Sequence, residues 1–514
     1  MNLSEQLSIT AREYPMKTAY IFQDKETSYY ELNASVQQFA TQLESLGYQK
    51  GDHIALVVGN SPYFIIGLYG ALRAGAVVIP INPLYTPSEM TYILQNGDVK
   101  GIITMDVLLE KFIAISEQLP DVKHYISCES GVDMDLQTHP LSSKLFSFTQ
   151  LVQTGEGVFE SEPNLDEEDT AIILYTSGTT GKPKGAILSH KNLYSNAKDV
   201  ADYLTINGED RVIAALPMFH VFCLTVSLNA PLMNGGTILI LPKFSPQEVY
   251  RIAKEHEATV FAGVPTMYNY LLQAAEGNQQ DFSSIRLCIS GGAAMPVALL
   301  KQFEKTFDVN VSEGYGLSEA APVTCFNPLD RPRKPGSIGT SIINVENKVV
   351  DEFGEEVPVG EVGELIVRGP NVMKGYYKMP EESAVTLKEG WLYTGDMARM
   401  DEEGYFYIVD RKKDMILVGG YNVYPREVEE VLYSHPAVAE VAVVGMPDPN
   451  TGEAVISFVV VKEPTIEEAE LIDFCKVHLA KYKVPAKIEF LEELPKNTTG
   501  KIMRRHLKEI VNQV

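Results

Sequence analysis

The chain has 514 residues, more than one ordinary hydrophobic core holds, and at roughly 100–200 residues per domain it divides into two to four folding units. Its composition, 45% hydrophobic and 22% charged, is that of a globular protein and excludes a disordered or low-complexity chain. The net charge of −25 leaves no general basic footprint, which excludes a nucleic-acid partner, and any site for an anion must therefore concentrate positive charge locally.

Residues 1–17 carry Glu5, Arg12 and Glu13 without a sustained apolar stretch, so no secretory signal is expected. Residues 30–46 have apolar positions at helical spacing, 53–58 form a short β-rich run, 61–72 read as a helix and 76–81 as a strand closed by Pro80 and Pro83. The most apolar stretch, 63–81, is broken by Arg73 and by glycines and falls short of the ~20 apolar residues of a membrane span, so no integral membrane segment is expected. Short apolar runs at 169–175, 211–216, 237–241, 259–264 and 287–290 alternate with helical stretches. That alternation predicts an α/β fold with a large multi-layer N-terminal domain and mainly parallel sheets. From about residue 336 glycine becomes frequent and strands shorten (363–367, 405–409), which predicts a β-rich subdomain. After Asp410 and the charged run Arg411-Lys412-Lys413-Asp414 comes a small α/β unit: helix 426–434, strands 438–445 and 454–461, helix 466–479, strand 487–491 and a basic final helix. The chain is accordingly divided into a large domain, 1–411, and a small mobile one, 412–514. Five widely separated cysteines (Cys128, Cys223, Cys288, Cys325, Cys475) make no paired metal spacing and read as buried thiols in a reducing cytoplasm.

The most informative segment is 175–185, which follows an apolar run and packs Thr176, Ser177, Thr179 and Thr180, three glycines (Gly178, Gly181, Gly185) and two lysines (Lys182, Lys184) into eleven positions. Glycines let backbone N–H groups turn in on an anion, hydroxyls donate to phosphate oxygens, and lysines supply charge. Residues 170–198 hold four lysines and no Asp or Glu in a chain with 68 acids, which gives the local field an anion site needs. It is not a Walker A loop: Pro183 follows Lys182, and 185–188 read as a returning strand rather than a helix start. On the residues alone, a polar hairpin tip is the competing reading.

This segment resembles the signature loop of the adenylate-forming superfamily, which includes acyl-CoA synthetases, firefly luciferases and the adenylation domains of peptide synthetases. Further segments match in order from about residue 32 to 505, so the resemblance covers nearly the whole chain and is strongest to fatty-acid and 4-coumarate CoA ligases. It implies that Thr176, Ser177, Gly178, Thr179, Thr180, Gly181 and Lys182 bind the phosphates of ATP. Tyr315-Gly316-Leu317-Ser318-Glu319 resembles the family's Y-G-x-T-E. There the family implies Tyr315 on adenine, Ser318 (for the more usual threonine) on the α-phosphate, and Glu319 with Thr176 on Mg2+; a hard carboxylate oxygen suits a hard cation. Ser290-Gly291-Gly292-Ala293-Ala294 resembles the other adenine wall, with Gly292, Ala293 and Ala294 on the base and Gly291 leaving room for an acyl chain.

Tyr393-Thr394-Gly395-Asp396 resembles the motif whose aspartate holds the ribose hydroxyls, Arg411 matches an arginine on the same ribose, and Lys413 occupies the hinge position. Without the family, that charge run reads as a solvated linker. Residues 495–501 resemble the loop that delivers the adenylation lysine, here Lys501, and Gly419-Gly420-Tyr421 the segment lining the pantetheine tunnel of coenzyme A. Residues 217–224 resemble the acyl-site motif, with Phe219, His220 and Val221 against the acid and His220 orienting or gating its carboxylate. The alternative for His220 is a helix-start histidine packed near the core. No acid lies between 211 and 230, which disfavours an amino-acid substrate and favours an apolar tail: a medium- or long-chain fatty acid first, an aryl or cinnamate-like acid second. The resemblance thus implies ATP- and Mg2+-dependent ligation of a small-molecule carboxylic acid to coenzyme A through an acyl-adenylate, with Lys501 and His220 catalytic. Transfer to another acceptor and assembly as a homodimer are left open, and a long-chain substrate implies transient contact with membranes.

Overall fold

The computed structural model describes residues 1–131, 139–153, 164–176, 182–462, 466–497 and 500–511. Several helices begin where the sequence signals them. Ser28 and Glu31, Thr86 and Glu89, and Ser189 and Asn192 form reciprocal caps at the starts of Tyr29–Ser45, Pro87–Asn96 and His190–Tyr203, satisfying main-chain donors that a first turn leaves open.

The predicted strands assemble into two large sheets. A nine-stranded sheet has Leu287–Ser290, Val260–Gly263 and Arg211–Ala214 at its centre, paired in parallel. The hairpin Thr18–Phe22 and Lys25–Ser28 closes one side, its first strand parallel to Thr237–Ile240. A seven-stranded sheet is parallel from Leu145–Ser147 through to Thr170–Thr176 and ends in the antiparallel strand Lys184–Ser189. A five-stranded antiparallel sheet spans Glu346–Val350 to Phe406–Arg411, and a separate five-stranded sheet with flanking helices is built from strands within 416–490. The architecture is α/β with mainly parallel sheets, a β-rich region and a C-terminal α/β region.

The helix Pro62–Arg73 is buried on ten of its 12 residues, which explains why it reads as continuously apolar. Gly70 lets it close on the helix Tyr29–Ser45: a Cβ there would lie 2.6 Å from Phe39 Cδ1. Arg73, which interrupts the apolar stretch in sequence, is itself buried and donates to Ser4 Oγ at 3.0 Å, Ser8 Oγ at 2.7 Å and Asn33 Oδ1 at 2.9 Å. Its charge is met by these side-chain oxygens and by the carbonyls of Ser4 and Asn33, as a buried cation requires. The chain at and after residue 223 holds a feature the periodicity did not predict: residues Cys223–Asn229 wind as a π-helix, and all seven are buried. Such widened turns are rare and concentrate near functional sites.

Candidate active site

A cavity of about 1390 Å³ opens where the central strands of the nine-stranded sheet end, between that sheet, the β-rich region and the C-terminal region. The segments after Arg211–Ala214, Val260–Gly263 and Leu287–Ser290 all line it, in keeping with the rule that ligands of open α/β sheets bind beyond the carboxyl ends of strands. Thr176, Phe219, His220, Val221, Gly291, Gly292, Ala293 and Ala294 line this one space. So do Tyr315, Ser318, Glu319, Asp396, Arg411, Lys413 and Lys501. Ser177, Gly178, Thr179, Thr180 and Gly181 lie outside the described residues.

The strand Thr170–Thr176 and its antiparallel return, Lys184–Ser189, hold the base of the glycine–hydroxyl loop, with Thr176 opposite Lys184. This is the returning strand expected from the sequence. Tyr175 Oη donates to Asn96 Oδ1 at 2.6 Å, and the ammonium of Lys182 lies 5.7 Å from the centre of the Tyr92 ring. Lys184 stands 5.3 Å over the ring of Tyr376, whose phenol donates to Glu319 Oε1 at 2.8 Å. Burial and the Glu319 carboxylate together raise the Tyr376 pKa, so the phenol stays a donor. Tyr376 is a site residue the sequence reading missed. It arrives because the chain at 374–377 docks on the returning strand, with Ile187 N donating to Gly375 O at 2.9 Å and Tyr377 N to Gly185 O at 2.7 Å. No local pattern signals that docking. Thr176 and Glu319 offer hydroxyl and carboxylate oxygens in the same cavity, a donor set that suits Mg2+.

On the other side, the phenol of Tyr315 donates to the carboxylate of Asp396. Asp396 and Arg411 are direct cross-strand partners, with Arg411 Nε 3.7 Å from Asp396 Oδ1. Sheet register therefore brings together an aromatic face, a carboxylate and a guanidinium from positions up to 96 apart in sequence. Facing them, the chain after Leu287–Ser290 turns at Gly292 with φ +77°. At Gly291 a Cβ would stand 3.1 Å from Phe222 Cζ, so its absence leaves a slot between this segment and the Phe222 ring. Glu313, two residues before Tyr315, also lines the cavity and was not anticipated. Its Oε1 accepts from Met295 N at 3.0 Å, and burial pushes its pKa up to about 7 against the opposing effect of Arg426.

Lys501 enters the same cavity from the C-terminal region. Burial and then the Arg411 guanidinium lower its pKa to about 8, while Asp396 opposes. Its charge is felt by His220, whose pKa is lowered to about 4 by burial and then by Lys501. His220 is thus neutral near pH 7. Its Nδ1 accepts from Phe222 N at 3.3 Å, which leaves the proton of the neutral ring on Nε2. The loop carrying Lys501 is closed on itself: Lys501 N donates to Asn497 Oδ1 at 2.8 Å and Asn497 N to Lys501 O at 2.9 Å. Lys413 lines the cavity too, its pKa lowered by burial and by Arg411.

Lys182, Gly419, Gly420 and Tyr421 are not among the lining residues. Tyr421 is exposed and stacks on Tyr482 with ring centres 4.8 Å apart. Gly419 and Gly420 adopt φ of +58° and +85°, and a Cβ at either would meet nothing within 4 Å. Here the backbone turn, rather than crowding, calls for glycine.

Residues 7–377 match the AMP-binding enzyme family and residues 427–501 the AMP-binding enzyme C-terminal domain. The chain is 42% identical to a long-chain-fatty-acid–CoA ligase of Bacillus subtilis over 98% of its own length and 93% of the relative's. It is 38% identical to a long-chain-fatty-acid–CoA ligase of Escherichia coli O6:H1, over 99% and 94% of the two chains. Among solved structures, ATP-bound MatB from Rhodopseudomonas palustris superposes with a TM-score of 0.90 at 34% identity, covering 99% of each chain. The chain belongs to the AMP-binding enzyme family, within the adenylate-forming superfamily, and is an AMP-forming acid–CoA ligase.

Proposed function

We propose that this enzyme joins a long-chain fatty acid to coenzyme A in two half-reactions performed by one cavity, with Lys501 driving the first. The observation that carries the reading is the seat of Lys501: a cation in the cavity, coupled both to His220 on the acyl side and to Arg411 and Asp396 on the nucleotide side.

In the first step the acid's carboxylate attacks the α-phosphorus of ATP, and pyrophosphate leaves. Two anions must approach, so catalysis is positioning and charge neutralisation with no covalent enzyme nucleophile. The Nε2–H of neutral His220 orients the carboxylate, and the Lys501 ammonium lies between carboxylate and α-phosphate. Tyr315 and the Asp396–Arg411 pair hold the adenosine, Ser318 reaches the α-phosphate, and the loop from Thr176 to Lys182 cradles the departing phosphates. Thr176 and Glu319 would hold Mg2+, which when bound would supply charge neutralisation to the phosphates, and Tyr376 fixes the Glu319 carboxylate. Residues 412–514 then rotate about Lys413, withdraw Lys501 and bring Gly419, Gly420 and Tyr421 to the cavity, where the coenzyme A thiol loses its proton and attacks the acyl carbonyl carbon, the bond from that carbon to the phosphate oxygen breaks, and AMP leaves. One cavity then serves both steps.

The apolar acyl wall supports a fatty acid. Phe219, Val221 and Phe222 line it and the stretch 211–230 that carries them holds no Asp or Glu, and the relatives cited above are named for long-chain fatty acids. Among the described residues no helix is long and apolar enough to cross a membrane, and all five cysteines are buried free thiols. A cytoplasmic enzyme that meets membranes transiently accommodates both. The test is a panel of short-chain, long-chain and aromatic acids scored for AMP and acyl-CoA with free coenzyme A. Long-chain acids are expected to give the highest kcat/KM; a preference for aromatic acids, or AMP release without acyl-CoA, would overturn the assignment.

A further inference from the structure

We propose that Thr266 is a positioning residue for adenylation: its hydroxyl anchors the loop that carries Lys501 in the arrangement used by the first half-reaction and in no other. This rests on the two-step reading above. Thr266 Oγ1 donates to the carbonyl of Gly500 at 3.1 Å, a bond between residues 234 apart in the chain. Thr266 is the second residue of the helix Pro265–Gln273, directly after a central strand of the nine-stranded sheet. The anchor point therefore belongs to the rigid side of the cavity, and the anchored carbonyl immediately precedes Lys501.

The fit around that bond is close. Gly500 has φ +79°, and a Cβ there would lie 3.1 Å from Val264 Cγ2 and 3.4 Å from Thr266 Oγ1. The backbone at Gly500 thus lies flush on the start of the helix, where only glycine meets both the backbone angle and the spacing. The reciprocal bonds between Asn497 and Lys501 make the loop a closed ring, so fixing one carbonyl fixes the origin of the lysine side chain. Lys496, its neighbour, pairs with Glu440 at 2.6 Å inside the C-terminal region and moves with it. Thr266 carries no charge, so it acts on where the ammonium stands, and displacements on the order of 1 Å cost up to about a hundredfold in rate.

The experiment uses the full chain as wild type, Thr266→Val and Thr266→Ser. ATP–pyrophosphate exchange with palmitate reports the first half-reaction, and acyl-CoA formed from supplied palmitoyl-adenylate and coenzyme A reports the second. Thr266→Val keeps the side-chain shape and is expected to lower the kcat of exchange about five- to tenfold, the effect of one neutral hydrogen bond. The KM for ATP and the second half-reaction stay unchanged, and Thr266→Ser restores exchange. Equal losses in both half-reactions, unimpaired exchange in Thr266→Val, or no rescue by serine would each overturn the assignment. The retained second half-reaction serves as the control for folding. If Thr266→Val does not fold, Gly500→Ala decides, because it must show the same selective loss of exchange. A wild type without exchange activity on any acid would instead sink the adenylate reading itself.

Discussion

Replacing Lys501 by alanine removes the one cation that the proposed mechanism places between the two reacting anions. Two like unit charges about 4 Å apart at an effective dielectric near 20 repel by about 4 kcal/mol, equivalent to about three powers of ten in rate. ATP–pyrophosphate exchange in Lys501→Ala is therefore expected to fall about a thousandfold, while thioester formation from supplied acyl-adenylate survives. The pH dependence supplies an independent signature. With its pKa lowered from 10.5 to about 8, Lys501 is charged at pH 7 and loses its charge as pH rises through about 8. The kcat/KM of wild-type exchange, which reports groups of the free enzyme, is expected to decline above about pH 8. Lys501→Ala lacks that falling limb. Radiolabelled pyrophosphate exchange across pH 6–10, with quenched assays on synthetic acyl-adenylate, measures both. Equal loss in the two half-reactions, or an alkaline limb that persists in the variant, would refute the reasoning.

Other expectations follow from the same geometry. Asp396→Asn removes the charged acceptor of the Tyr315 phenol and the partner of Arg411. Hydrogen bonds to charged groups contribute about 1.5–3 kcal/mol, so kcat/KM for ATP should fall about ten- to a hundredfold in steady-state assays, with the KM for acid little changed. Gly291→Ala places a methyl 3.1 Å from Phe222 Cζ, narrowing the slot proposed for the acyl chain. Each excluded methylene costs about 0.8 kcal/mol, near fourfold, so a chain-length series should shift toward shorter acids. Gly70→Ala sets a Cβ 2.6 Å from Phe39 Cδ1 inside the core. Overpacking of this kind costs about 1–3 kcal/mol, to be read as a lower thermal midpoint without a change in KM.

What was legible in the sequence was whatever local pattern dictates. The glycine–hydroxyl segment and its returning strand and the texture change near residue 336 all follow from short-range rules. The contacts that make the site depend on register between distant strands. Asp396 faces Arg411 because one antiparallel ladder aligns them, and only the family resemblance brought them together beforehand. Tyr376 had no such signal: its bond to Glu319 spans 57 residues and depends on docking against a strand formed elsewhere. Glu313 sits two residues before a recognised motif, yet its burial, which decides its chemistry, is a tertiary property. The π-helix at Cys223–Asn229 escaped because Leu224, Val226 and Leu228 alternate with Thr225, Ser227 and Asn229, a period of two that signals no helical winding of any kind.

The hairpin at the chain's beginning has a bearing on biosynthesis. Its first strand pairs with Thr237–Ile240, Tyr20 lying beside Ile238, so the partner is not yet made when the hairpin leaves the ribosome. At about 5–20 residues per second, the intervening stretch takes about ten to forty seconds to translate. Throughout that interval the apolar segment Thr18–Phe22 has only its short companion Lys25–Ser28 to cover one edge, and nascent chains are most exposed to misassociation there. Removing the hairpin would leave Thr237–Ile240 as a permanent bare margin, a template for adhesion between molecules.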